Sequence, residues 1–136
     1  MVGLGEGLIG LTVFEQSFMR NRGPADPVKS PARLAFMIAT GLGLHNFSEG
    51  LAIGQSAGRG EITFAALLII GFGLHNATEG FGIIGPQVGL KPSWSFLGLT
   101  GLVGGGPTFL GTMVGYYVLS TPMSVLFLSL AAGALL

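Results

Sequence analysis

An all-α, polytopic membrane helix bundle is the fold class that this sequence predicts, on three observations. Charged residues occupy 9% of the 136 positions while hydrophobic residues reach 49% and the mean hydropathy is +0.71, whereas a typical soluble domain is about one quarter charged. Charged and turn-forming residues cut the chain into apolar stretches close to the roughly 17 to 25 residues that a membrane-spanning helix needs. The 25 glycines would weaken helices in water but suit membrane helices whose backbones approach closely.

Taken in order, residues 1–19 form the first apolar stretch, which Glu6 interrupts and no basic run precedes, so it reads as a helix rather than a signal peptide. Residues 34–56, 62–84 and 93–119 form three more. The fifth, residues 123–136, is too short to cross about 30 Å of hydrocarbon at about 1.5 Å per residue. The expectation is therefore a single transmembrane domain over residues 1–136, with about five helices present, truncated from a larger bundle. Connections are predicted at 20–33, 57–61, 85–92 and Ser120-Thr121-Pro122. The first carries Arg20, Arg22, Lys29 and Arg33 against Asp26, and the third carries Lys91. An excess of Lys and Arg marks cytoplasmic loops, which places loop 20–33 in the cytoplasm; the cell (plasma) membrane is the expected location.

The absence of cysteine removes disulfides, thiolate metal ligands and thiol nucleophiles, so any metal would rest on N and O ligands. With six acidic and six basic residues, the net charge is zero, and no basic patch points to nucleic acid. The expected surroundings are the lipid bilayer.

The chemistry lies in an internal repeat. Gly41-Leu42-Gly43-Leu44-His45-Asn46-Phe47-Ser48-Glu49-Gly50 returns as Gly71-Phe72-Gly73-Leu74-His75-Asn76-Ala77-Thr78-Glu79-Gly80, identical at seven of ten positions. The copies fall mid-way along consecutive helices that the short loop makes antiparallel, an inverted-repeat relation. At about 1.5 Å per residue His45 lies roughly 18 Å from Arg33 and Glu49 roughly 15 Å from Arg59, so the polar set sits near the bilayer centre. At about 100° per residue, Glu49 falls between His45 and Asn46 around the helix, and Glu79 likewise between His75 and Asn76. Pairing the helices would gather two imidazoles, two amides and two carboxylates, with room for one metal on the histidine side, a second on the asparagine side, and both glutamates shared. Imidazole with carboxylate suits zinc, iron, manganese, cobalt or cadmium.

Polar residues also join membrane helices by hydrogen bonds, and that is the expectation for Asn46, Ser48 or Thr78 taken singly. A buried glutamate costs about 2.5 kcal/mol or more at a helix centre unless compensated, which favours a cation beside the paired His-x-x-x-Glu elements. A proton relay through the same four residues, serving transport of another solute, stays open.

These paired motifs, His45-Asn46-Phe47-Ser48-Glu49-Gly50 and His75-Asn76-Ala77-Thr78-Glu79-Gly80, closely resemble those of the ZIP (Zrt-, Irt-like) family of divalent-metal transporters. The resemblance covers nearly the whole chain and implies an eight-helix fold. Residues 1–19 look like its third helix, the repeats its fourth and fifth, residues 93–119 its sixth and residues from Met123 its seventh. It implies His45, Glu49, His75 and Glu79 as first-site ligands, with Asn46 and Asn76 joining the shared glutamates at a second site. The expected function is passage of divalent metal ions, zinc (Zn2+) foremost with Fe2+, Mn2+ and Cd2+ as alternatives, and a homodimer is suggested. Two departures stand out. Ser48 and Thr78 replace a proline common in relatives, so helix kinks would come from Gly50, Gly54 and Gly80 or be milder. Where many relatives supply a further glutamate, this chain reads Gly101-Leu102-Val103-Gly104-Gly105-Gly106-Pro107, so the second site is expected to be weak or absent.

An enzyme is not expected. There is no His-Glu-x-x-His and no Gly-x-Ser-x-Gly, though an intramembrane zinc-dependent enzyme is an alternative, since zinc held by His and Glu activates water. Glu6 reads as a helix-end residue or an accessory ligand and Glu15 as interfacial, while Gly111 and Gly115 fit a small-xxx-small helix contact.

Overall fold

The computed structural model describes residues 29–123 together with residues 125, 126 and 129. The predicted helix 1–19, most of 123–136, and Glu6 and Glu15 lie outside the described residues. Among the described residues all regular structure is helical: α1 (Lys29–Gly58), α2 (Ile62–Ile84), a 3-10 turn (Gly85–Gln87) and α3 (Trp94–Tyr117).

The second helix has the bounds expected of it, and α3 begins where Ser93 caps it by accepting a hydrogen bond from the Phe96 amide at 3.2 Å. Helix α1 departs from expectation. It starts at Lys29, so Lys29 and Arg33 belong to its first turns and not to a connection. Hydropathy marks the part of a helix suited to lipid, not where the backbone stops being helical, and a proline at position 31 is tolerated in a first turn. Thr121 and Pro122 are likewise helical where a turn was expected, and residues 118–120 break the helix there.

The hairpin between α1 and α2 is closed by a glycine. Gly60 has φ +80°, its amide donates to the Ala57 carbonyl at 3.0 Å, and the Glu61 amide donates to the Ser56 carbonyl at 2.9 Å. This is the Schellman pattern, which reverses the chain while satisfying the last carbonyls of the helix. Gly89, with φ +82°, does similar service before α3.

Helix α3 returns parallel to α1, in register from Gly43 against Val103 to Gly58 against Tyr116. A Cβ added at Gly50 or Gly54 would strike the carbonyl oxygens of Thr108 or Thr112, and one at Gly111 or Gly115 those of Phe47 or Leu51. The backbones therefore touch along matched glycine stripes, as the Gly111 and Gly115 spacing predicted. Most of α2 stands clear. Only Ala65 and Ile83 are buried in it, while Leu67, Ile70, Leu74 and Phe81 are exposed.

Two helical segments, Ile62–Gln87 and Trp94–Tyr117, are long and apolar enough to cross a membrane, and only 6% and 17% of their most apolar stretches are buried within the protein. In a core helix of a water-soluble protein such a stretch would be covered. Helix α1 does not belong to this pair, because His45, Asn46, Ser48, Glu49, Gln55 and Ser56, all buried, take up much of its second half.

Candidate metal centre

The two repeats meet at their His-x-x-x-Glu elements. On α1, His45 Nε2 lies 3.2 Å from Glu49 Oε1; on α2, His75 Nε2 lies 3.1 Å from Glu79 Oε1. Both are i,i+4 pairs, which helix geometry stacks on one face. Across the seam His45 Nε2 is 3.9 Å from Glu79 Oε1, and the two imidazoles meet edge to face with centroids 5.9 Å apart. One ligand atom from each of His45, Glu49 and His75 lies within 4.8 Å of the other two. A tetrahedral site with bonds of about 2.1 Å has ligand atoms about 3.4 Å apart. The two intrahelical pairs already approximate such edges, while across the seam, where ligand atoms stand 3.9 Å and up to 4.8 Å apart, closure by about 0.5 to 1.4 Å is needed.

Polar atoms here are left over. Glu49 Oε2, Glu79 Oε2, Asn46 Oδ1 and Asn76 Oδ1 are buried and accept no hydrogen bond. Buried acceptors without partners are rare and unfavourable, and a cation beside the carboxylates would relieve the deficit there. Imidazole nitrogens beside carboxylate oxygens are a donor set that divalent transition metals accept, and His45, Glu49 and His75 are close enough to form a possible metal-binding group.

All six predicted site residues lie on α1 and α2, but not in equivalent roles. The cluster that closes is His45, Glu49, His75 and Glu79. Asn46 donates its Nδ2 to the Gly104 carbonyl on α3 at 3.0 Å, so it is an interhelical tie as well as a potential oxygen donor. Ser48 and Thr78 join no helices together. Each hydroxyl donates back along its own helix, to the Leu44 carbonyl at 3.4 Å and the His75 carbonyl at 2.6 Å. The segment 101–107 supplies no acidic side chain, yet α3 reaches the site through a main-chain carbonyl. That role was invisible to a search for ligating side chains, and the only sequence signal near it is Pro107. Lacking an N–H, it leaves the Val103 carbonyl without its usual donor, and that oxygen rests against Gly43.

Comparison of the chain with known protein families, with characterised proteins and with solved structures finds no match.

Proposed function

We propose that this protein binds a divalent transition-metal ion, zinc foremost, at His45, Glu49, His75 and Glu79 and passes it across a membrane. The observation that carries the reading is the convergence of two His/Glu pairs from antiparallel helices, with carboxylate oxygens buried and unpartnered between them. The resemblance of the paired motifs to those of the ZIP family points the same way. The ion is cargo: the imidazoles and carboxylates replace its water while it is held between apolar helices, and the seam position gives it neighbours that can part. Helix alternation puts Lys29, Arg33 and Lys91 at one end of the bundle, the end read as cytoplasmic.

The test is flux of Zn2+ into sealed proteoliposomes carrying a metal-sensitive dye. Saturable uptake that Glu49→Ala and His45→Ala abolish is the expected result; uptake unchanged in both variants would sink the proposal. A cysteine at Lys91 should resist an impermeant thiol reagent in intact cells while one at Glu61 reacts, and the opposite pattern overturns the orientation.

One observation favours a second reading. Glu49, His45, Glu79 and His75 follow one another at 3.2, 3.9 and 3.1 Å, so closing the one long step at the seam would join them into a path for protons. Proton uptake by metal-free proteoliposomes, abolished by Glu79→Gln, would support that alternative.

A further inference from the structure

Gly104 stands where the three helices meet. Its carbonyl accepts the Asn46 amide at 3.0 Å, and because an amide group is planar, holding its nitrogen fixes where Oδ1 lies. That oxygen is buried and unpartnered, on the residue next to His45. Gly104 also acts by having no side chain. A Cβ there would stand 3.0 Å from Ile83 Cδ1 and 3.7 Å from the Ala39 carbonyl oxygen. Ile83 is one of the two residues of α2 that are buried, and it lies one turn beyond Glu79. The approach of α2 to α3 one turn beyond Glu79 is therefore limited by Ile83 resting on a bare backbone.

We infer that Gly104 is a positioning residue of the candidate metal centre, aligning Asn46 through its carbonyl and Glu79 through Ile83, so that α3 governs a site to which it contributes no acidic side chain. The inference rests on the metal-binding reading above. Gly104→Ala keeps the carbonyl and all six polar residues, but Ile83 must give way by a few tenths of an ångström. It can do so by leaving its rotamer or by carrying α2, and with it Glu79, outward. Ile83→Val removes the Cδ1 atom that the new methyl would meet.

Titration of the full chain in detergent with Co2+, whose visible absorption reports the ligands around it, tests this. Wild-type protein should give a band that His45→Ala and Glu49→Ala remove. Gly104→Ala should bind about tenfold more weakly with a shifted band, and Gly104→Ala/Ile83→Val should return to within about threefold of Ile83→Val alone. A merely structural glycine would lower the melting temperature of the metal-free protein and leave the band of the folded fraction in place. If Gly104→Ala does not fold, Ile83→Phe crowds the same contact from α2 and should weaken binding likewise. Unchanged affinity and spectrum in the folded variant, or no recovery in the double variant, overturns the inference while the wild-type band leaves metal binding intact. A wild-type band that is absent, or that survives His45→Ala and Glu49→Ala, instead overturns the metal reading and the positioning role with it.

Discussion

The two copies of the repeat carry the same ligands in different surroundings. In α1, His45 is 5% exposed, Gly43 and Gly50 press on the backbone of α3, and Asn46 is tied to Gly104. In α2, the His75 side chain is 43% exposed, and a Cβ at Gly73 or Gly80 would meet nothing within 4 Å. Yet the His to Glu distances, 3.2 and 3.1 Å, are nearly equal. The His-to-Glu spacing within each copy is thus set by helix geometry, whereas the packing around each copy is set by its neighbour. One half of the candidate centre is anchored in a glycine-welded helix pair, and the other half is carried on a helix that touches it along a narrow seam. In the proposed transport, such a division gives the ion one closely packed set of ligands and one more exposed set.

The largest effect should come from breaking the welded side. Gly50→Leu forces a side chain into the Thr108 carbonyl and should lower stability by about 3 kcal/mol or more, read as thermal unfolding in detergent. Gly80→Leu, at the matching position of α2, should fold normally. Equal losses in the two variants would erase the difference between the copies.

Removing the carboxylates sharpens the comparison on its chemical side. Glu49→Gln and Glu79→Gln should each abolish the metal-dependent stabilisation, which for an intact site amounts to about 2.7 kcal/mol at a metal concentration of about 100 times Kd. Without metal, neither variant should be less stable than wild type, because a neutral amide replaces a carboxylate with an unpartnered buried oxygen. Melting curves with and without Zn2+ decide this, and a full metal shift retained in both variants contradicts the assignment.

The histidines should separate by burial. His45→Ala and His75→Ala both lose a ligand, but in metal-free protein the first should be the less stable by about 1 to 2 kcal/mol, since it opens a cavity under a buried ring while His75 is partly exposed already. Identical metal-free melting temperatures would show that the two copies are packed alike.

The smallest effect has the opposite sign. Gly73→Ala, on open helix surface, should stabilise by about 0.5 to 1 kcal/mol through lower chain entropy in the unfolded state and better helix propensity. Gly43→Ala, its counterpart against Val103 and Pro107, should destabilise, so the sign of the pair is the measurement.

Much of this protein was legible in residue order, because the features concerned are local. The i,i+4 spacing of His and Glu puts each pair on one helix face whatever the tertiary structure, so the four residues of the candidate cluster follow from the repeat. The bounds of α2 and the start of α3 at Ser93 follow from turn residues and polar interruptions in the same way. Other features depended on which surfaces meet. Composition treats Gly43 and Gly73 alike, and only the folded chain makes one a contact and the other open surface. The extent of α1 back to Lys29 was hidden because hydropathy is blind to helix that leaves the apolar layer. That α3 is the closely packed partner of α1, and that it touches the site through the Gly104 carbonyl, was decided by tertiary structure alone. Close approach is a property of two matched surfaces at once, and a main-chain oxygen is the same at every residue of the sequence until another helix is brought beside it.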